Sequence, residues 1–110
     1  MSDKNPDLVA LQRALGDVVD RLVQQQEQSN DPEAIEALGR QIREASFRAI
    51  GLQRKLFAQQ TAAIAAAVED VQRGKAEVEE AIARIEQLNQ AIATVTKFLS
   101  LVDKVLALVP

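Results

Sequence analysis

The chain has 110 residues, a net charge of −3, and no Cys, His, Trp or Tyr. This composition excludes disulfides, thiol nucleophiles, imidazole bases and the usual Cys/His zinc sites. Charge is spread evenly: residues 1–30 carry three positive and five negative groups, residues 31–73 six of each, and residues 74–110 four and five. The chain therefore lacks the basic footprint of a nucleic-acid binder and the polybasic stretch that holds anionic lipid.

Hydrophobic residues make up 47% and charged residues 26%, enough apolar material for a folded core. Only Phe47, Phe57 and Phe98 are aromatic, while Ala, Leu, Gln, Glu and Arg abound, so the expected elements are helices. The opening "MSDKNPDL" is polar and has no apolar signal-peptide core, so a cytoplasmic location, or export without a classical signal peptide, is expected.

The first helix is expected over about residues 6–28. Asn5 suits the N-cap, Pro6 the first helical position, and Asp7 the positive end of the helix. Leu8, Leu11, Leu15, Val18 and Leu22 step 3-4-3-4, a heptad seam on one face. The seam fades in "QQQEQSN".

A second helix is expected over about 32–73, capped by Asp31 with Pro32 at its start. Its seam is Ile35, Leu38, Ile42, Ala45, Ala49, Leu52 and Leu56. Ile50, Phe57, Ile64 and Val71 recur every seven residues beside it. Gly39 and Gly51 fall inside this pattern, each at a cost of ~1 kcal/mol.

The third helix is expected over about 75–109, after a turn at Gly74 that basic Arg73 precedes. The alternative is one helix from Pro32 to the end, about 120 Å long at 1.5 Å per residue. The third seam runs through Val78, Ala81, Ile85, Leu88, Ile92, Val95, Leu99, Val102, Leu106 and Val109. A second stripe of Phe98, Leu101, Val105 and Leu108 widens its apolar arc to about 180°. The segment "AIATVTKFLSLVDKVLALVP" carries three charges, which argues against a membrane span.

These elements define an all-α fold: an antiparallel three-helix bundle, or long coiled-coil hairpin, with a shorter N-terminal helix in a single domain. Counting back from the turns places Leu22, Leu38 and Val109 at one level, and Leu8, Leu52 and Val95 at the other end. Beyond that level the Ala-rich "TAAIAAAVED" is expected to form a two-helix arm ending at Gly74, with Ala65 and Ala67 near Ala83 and Ala81.

Candidate chemistry is sparse. Glu69, Asp70, Glu77, Glu79 and Glu80 are clustered carboxylates that read as a solvated helix surface rather than a cation site, because no EF-hand loop or histidine accompanies them. Ser46, Thr94, Thr96 and Ser100 have no base within sequence reach and read as helix-surface hydroxyls. No catalytic, cofactor or metal residue is expected. Among the arginines of the second helix, Arg40, Arg43 and Arg48 belong to a face rich in i,i+4 ion pairs, whereas Arg54 and Lys55 lack such partners.

In size and hairpin plan the chain resembles small secreted helical-hairpin proteins, although their Trp-x-Gly turn is replaced by "QRGKAE". Its Ala- and Gln-rich amphipathic helices resemble those of granule-coating phasins, and its apolar tail resembles small helical components of pore-forming toxins. The expected role is non-catalytic: assembly, adaptor or structural contact with a second copy or another helical protein. The interface candidates are Phe98, Leu101, Val105, Leu108, Ile50, Phe57, Arg54 and Lys55. A membrane-active helical protein is the second choice.

Overall fold

The computed structural model describes residues 3–84 and 87–110. Among them the chain forms four helices and no strand: α1 (Pro6–Gln28), α2 (Pro32–Gln53), α3 (Ala62–Ala83) and α4 (Leu88–Ala107). The all-α expectation holds; the three-helix arrangement does not. The second predicted helix breaks at residues 54–61, twelve residues or more before the turn expected at Gly74.

α1 follows its sequence signals. Pro6 stands at its start, and the Asn5 side chain accepts from the N–H groups of Asp7 (2.9 Å) and Leu8 (3.3 Å). Leu8, Leu11, Leu15, Val18 and Leu22 are all fully buried, as the heptad seam requires. α2 starts on Asp31, whose carboxylate accepts from the N–H of Glu33 at 3.1 Å. Two bonds set the antiparallel register of α1 and α2. Asn5 N–H donates to the Leu56 carbonyl at 2.6 Å, and Gln26 Nε2 donates to the Ile35 carbonyl at 3.0 Å. Leu8 then falls level with Leu52 and Leu22 with Leu38, as the seams predict.

The break at 54–61 contains no glycine or proline. Its signals are polar and tertiary. α2 ends in a tightened turn, with Lys55 N–H on the Leu52 carbonyl and Ala58 N–H on the Lys55 carbonyl. Asn5 takes up the Leu56 carbonyl with its backbone N–H, and the Ala58 carbonyl with its Nδ2 at 3.2 Å. Thr61 then caps α3: its backbone is extended and its hydroxyl accepts from Ile64 N–H at 3.1 Å.

This extra reversal redirects the rest of the chain. α3 begins beside the start of α1, where Gln60 Nε2 donates to Asp7 at 3.0 Å, and it runs parallel to α1. Further along, Lys75 meets Asp17 at 2.7 Å. This hydrogen bond is the main reason that the Lys75 ammonium titrates above the ordinary value of 10.5. α3 stops at Ala83, after about as many residues as α1 contains. α4 then returns antiparallel to α3 and parallel to α2. The predicted third helix is thus divided as well, and its seam residue Ile85 lies outside the described residues.

The packed pairs are α1 with α2, α3 with α4, α1 with α3, and α2 with α4. Two antiparallel hairpins therefore lie side by side, and the 54–61 segment joins helices on a diagonal. The result measures 48 × 21 × 17 Å around one continuous apolar core. There is no Ala-rich arm: α3 lies along α1, with Ile64, Val68, Val71 and Val78 buried. Val109 sits at the Lys55 end of α2 and not at the Leu38 end, because α4 runs with α2 rather than against it.

Gly74 lies in mid-helix and is buried. A Cβ placed there would come within 2.9 Å of Leu101 Cδ1 and 3.7 Å of Phe98 Cδ1. The missing side chain lets α4 approach α3 closely, and that approach, rather than a turn, accounts for the glycine.

Asn5→Ala should remove the α1 cap and leave the partly buried Ala58 carbonyl without its donor, lowering stability by about 1–3 kcal/mol in urea titration. Gly74→Val should cost about 1–3 kcal/mol by overpacking, despite the better helix propensity of valine. If Gly74 marked a turn instead, the valine variant would lose α-helical circular dichroism.

Candidate interaction face

The eight interface candidates divide sharply. Phe98 and Val105 are fully buried, and Leu101 is half-buried over Gly74. α4 packs against both α2 and α3, two neighbours at a wide angle, so it needs both apolar stripes for its own core. The surplus apolar face expected on this helix is therefore spent inside the chain at these three residues. Leu108, just past the end of α4, stays exposed.

Lys55 is also used internally. Its ammonium donates to the carbonyls of Val109 (2.8 Å) and Leu106 (3.3 Å), satisfying the last turn of α4 from the neighbouring helix. It completes a polar ladder that joins α2 to α4 at seven-residue steps. Half-way along, Arg48 makes a two-pronged bond to Asp103, Nε to Oδ1 at 2.7 Å and Nη2 to Oδ2 at 3.0 Å. That bond is the leading cause of the raised Arg48 pKa. At the other end Gln41 Nε2 reaches Thr96 Oγ1 at 3.5 Å. Among the described residues no buried side-chain polar atom is left without a partner.

The ladder explains why α2 is exposed. Its buried positions are Leu38, Gln41, Ala45 and Leu52, a small apolar face for a 22-residue helix. On the opposite side lie Ile50 and Phe57, both candidates from sequence, with relative exposures of 61% and 58%. Phe47, which lies on none of the heptad seams, is the most exposed large apolar residue among the described ones, at 75%. The missed signal is its spacing: Phe47, Ile50, Arg54 and Phe57 step 3-4-3 on a track opposite Leu38, Ala45 and Leu52. The every-seven stripe from Ile50 to Val71 concealed that track, because the break sends Ile64 and Val71 into the α3 core.

Arginines interleave the exposed apolar residues. Arg43 and Arg54 flank Phe47 along the helix, and neither forms an ion pair among the described residues. By contrast, Arg40 pairs with Glu36 at 3.7 Å and Arg48 with Glu44 at 3.0 Å. Phe47, Ile50 and Phe57 together expose roughly 400 Å² of side chain, given the area that aromatic residues carry. A patch of that size stands within the range of functional surfaces on small proteins.

Elsewhere the polar groups are dispersed. Asp70 pairs with Arg73, Glu77 with Lys97 (3.4 Å), Glu79 with Lys75 (3.8 Å) and Glu80 with Arg84 (4.0 Å). No group of three carboxylates converges among the described residues. Thr94 and Ser100 donate their hydroxyls to carbonyls four residues earlier, the ordinary use of such groups on a helix. An open cleft between the end of α3 and the start of α4 is lined by Glu77, Glu80, Arg84 and Gln87, all on the surface. Among the described residues no helix is long and apolar enough to cross a membrane.

Comparison with known protein families, curated proteins and solved structures finds no match to this chain.

Opposite outcomes are expected for the two apolar stripes. Val105→Glu places an unpaired charge in the core and should lower stability by about 3–5 kcal/mol. Phe47→Glu changes an exposed position and should stay within about 0.5 kcal/mol of the parent. Thermal unfolding followed by circular dichroism separates them; equal losses would mean that Phe47 is not on the outer face.

Proposed function

We propose that this chain is a non-catalytic helical contact protein, an assembly, adaptor or structural component, that works through the outer face of α2. The observation that carries this reading is the exposed track of Phe47, Ile50 and Phe57, interleaved with Arg43 and Arg54, on a helix whose other side is already packed. Large apolar side chains gathered on one face lose favourable burial unless something covers them. Aromatic residues and arginine are also the residue types most enriched at protein contacts, and lysine is depleted there.

The membrane-active reading rested on the wide apolar arc of α4. Phe98 and Val105 of that arc are in the core, so a bilayer would have to compete with the bundle for them.

In-cell photo-cross-linking tests the contact reading. A photoreactive side chain at Phe47 should give a discrete protein adduct, and one at exposed Gln24 of α1 should not. Adducts to lipid alone, or none at Phe47, would overturn it.

A further inference from the structure

We propose that the face of α2 meets the same face of a second copy, the two helices packing antiparallel about a twofold axis between Ile50 and Gly51. This inference rests on the contact reading above and names its partner.

The order of residues along the track carries it. Read toward the C-terminus, the track is Arg43, Phe47, Ile50, Arg54, Phe57. Read backward it is Phe, Arg, Ile, Phe, Arg. An antiparallel copy about that axis therefore sets Arg43 against Phe57, Phe47 against Arg54, and Ile50 beside its own counterpart, and the twofold repeats each pair. All four aromatic positions, two from each copy, face a guanidinium. The spacings of four, three, four and three keep these partners level to within one residue. A parallel copy would pair arginine with arginine and phenylalanine with phenylalanine.

Arginine over an aromatic face is a favourable electrostatic contact, strengthened when water is excluded. Arg43 and Arg54 have no ion-pair partner among the described residues to compete for them. The first four track residues lie within about 60° of one another on the helix, at 100° per residue. Phe57 follows in the turn that extends α2.

Gly51 adds a steric argument. It is exposed, and a Cβ placed there would meet nothing within 4 Å. Beside the axis it leaves room for Ile50 of the second copy, as small residues do where helices cross closely. The apolar area is also of the right order. Roughly 400 Å² from each copy, with the arginine stems around it, falls at the low end of specific interfaces, where contacts are weak and reversible.

Purified protein tests the proposal in three ways. In sedimentation velocity, wild type should move from the 12.0 kDa chain mass toward twice that value between micromolar and sub-millimolar concentration. Phe47→Arg, which sets arginine against Arg54, should stay monomeric with unchanged helical circular dichroism. The exchanged variant Phe47→Arg/Arg54→Phe restores every Arg–Phe pairing and should regain the dimer mass. The chain has no cysteine, so Ile50→Cys introduces a lone thiol at the axis; under mild oxidation it should form covalent dimers faster than Gln24→Cys.

A wild type that stays monomeric, with equal cross-linking rates for the two cysteine variants, would overturn the second-copy proposal. So would an exchanged variant that is folded yet monomeric. If Phe47 nevertheless gives an adduct to a different protein in cells, the contact reading survives and only this partner is lost. Flotation of wild type, but not of Phe47→Glu, with phosphatidylglycerol vesicles, in the absence of self-association, would overturn both.

Discussion

The direction of every helix after the second depends on Asn5. This buried side chain accepts from the first N–H groups of α1, and it donates to the carbonyl of Ala58 beyond the end of α2. Its backbone N–H holds the Leu56 carbonyl as well. One residue therefore satisfies orphan groups at two helix termini, where unsatisfied polar atoms would otherwise be buried. With those carbonyls held, the chain leaves the axis of α2 and starts a new helix at Thr61. α3 then lies along α1, and α4 along α2. Had the second helix run on, α1 would have covered only part of it, and the remaining apolar stripe would have projected into water.

The parts of this architecture that depend on local chemistry were legible. Asn5–Pro6 and Asp31–Pro32 mark the starts of α1 and α2, and the heptad steps of the first two seams locate the α1–α2 core and its register. The break at 54–61 was not legible because its one local signal is the Thr61 cap of α3, with no glycine or proline beside it. Its residues are ordinary helix formers, and the groups that stop the helix come from Asn5, some fifty positions away. Gly74 misled for the same reason in reverse. A glycine after a basic residue looks like a helix end, but the constraint on it is the nearness of α4, which only the folded chain reveals. On α4 the wide apolar arc was read correctly as more than one seam. Its purpose depended on how the neighbours are placed: α2 and α3 meet α4 at a wide angle and take up both stripes. The outer face of α2 was half legible: Ile50, Phe57 and Arg54 stood out by spacing and lack of ion-pair partners, while Phe47 was hidden by a stripe that the break dissolves.

α2 differs from its neighbours in what holds it. α1 is anchored by four buried leucines, whereas α2 offers the core Leu38, Leu52, an alanine and a glutamine. Its attachment to α4 relies on directional polar contacts: the Arg48–Asp103 fork and the Lys55 cap on the final carbonyls of α4. Such contacts fix position and orientation more than they add stability, because exposed ion pairs contribute little net energy. The helix is thus held in a definite pose while its apolar side chains point outward. This rigidity suits recognition, since a pre-positioned aromatic side chain loses little freedom when it is covered.

The side-by-side hairpins have a further consequence, in the statistics of the chain. The side-chain bonds that tie the first half to the second, from Asp7–Gln60 through Asp17–Lys75 to Gln41–Thr96, Arg48–Asp103 and Lys55 with Leu106 and Val109, all span between 51 and 58 residues. They are loops of nearly equal length, shifted along the chain because the second hairpin repeats the path of the first. Loop closure costs entropy that grows only logarithmically with length, and a contact made inside an already closed loop adds little more. Once each hairpin is formed as a unit, whichever tether forms first brings the others within reach, so the two halves dock as a single event in conformational space.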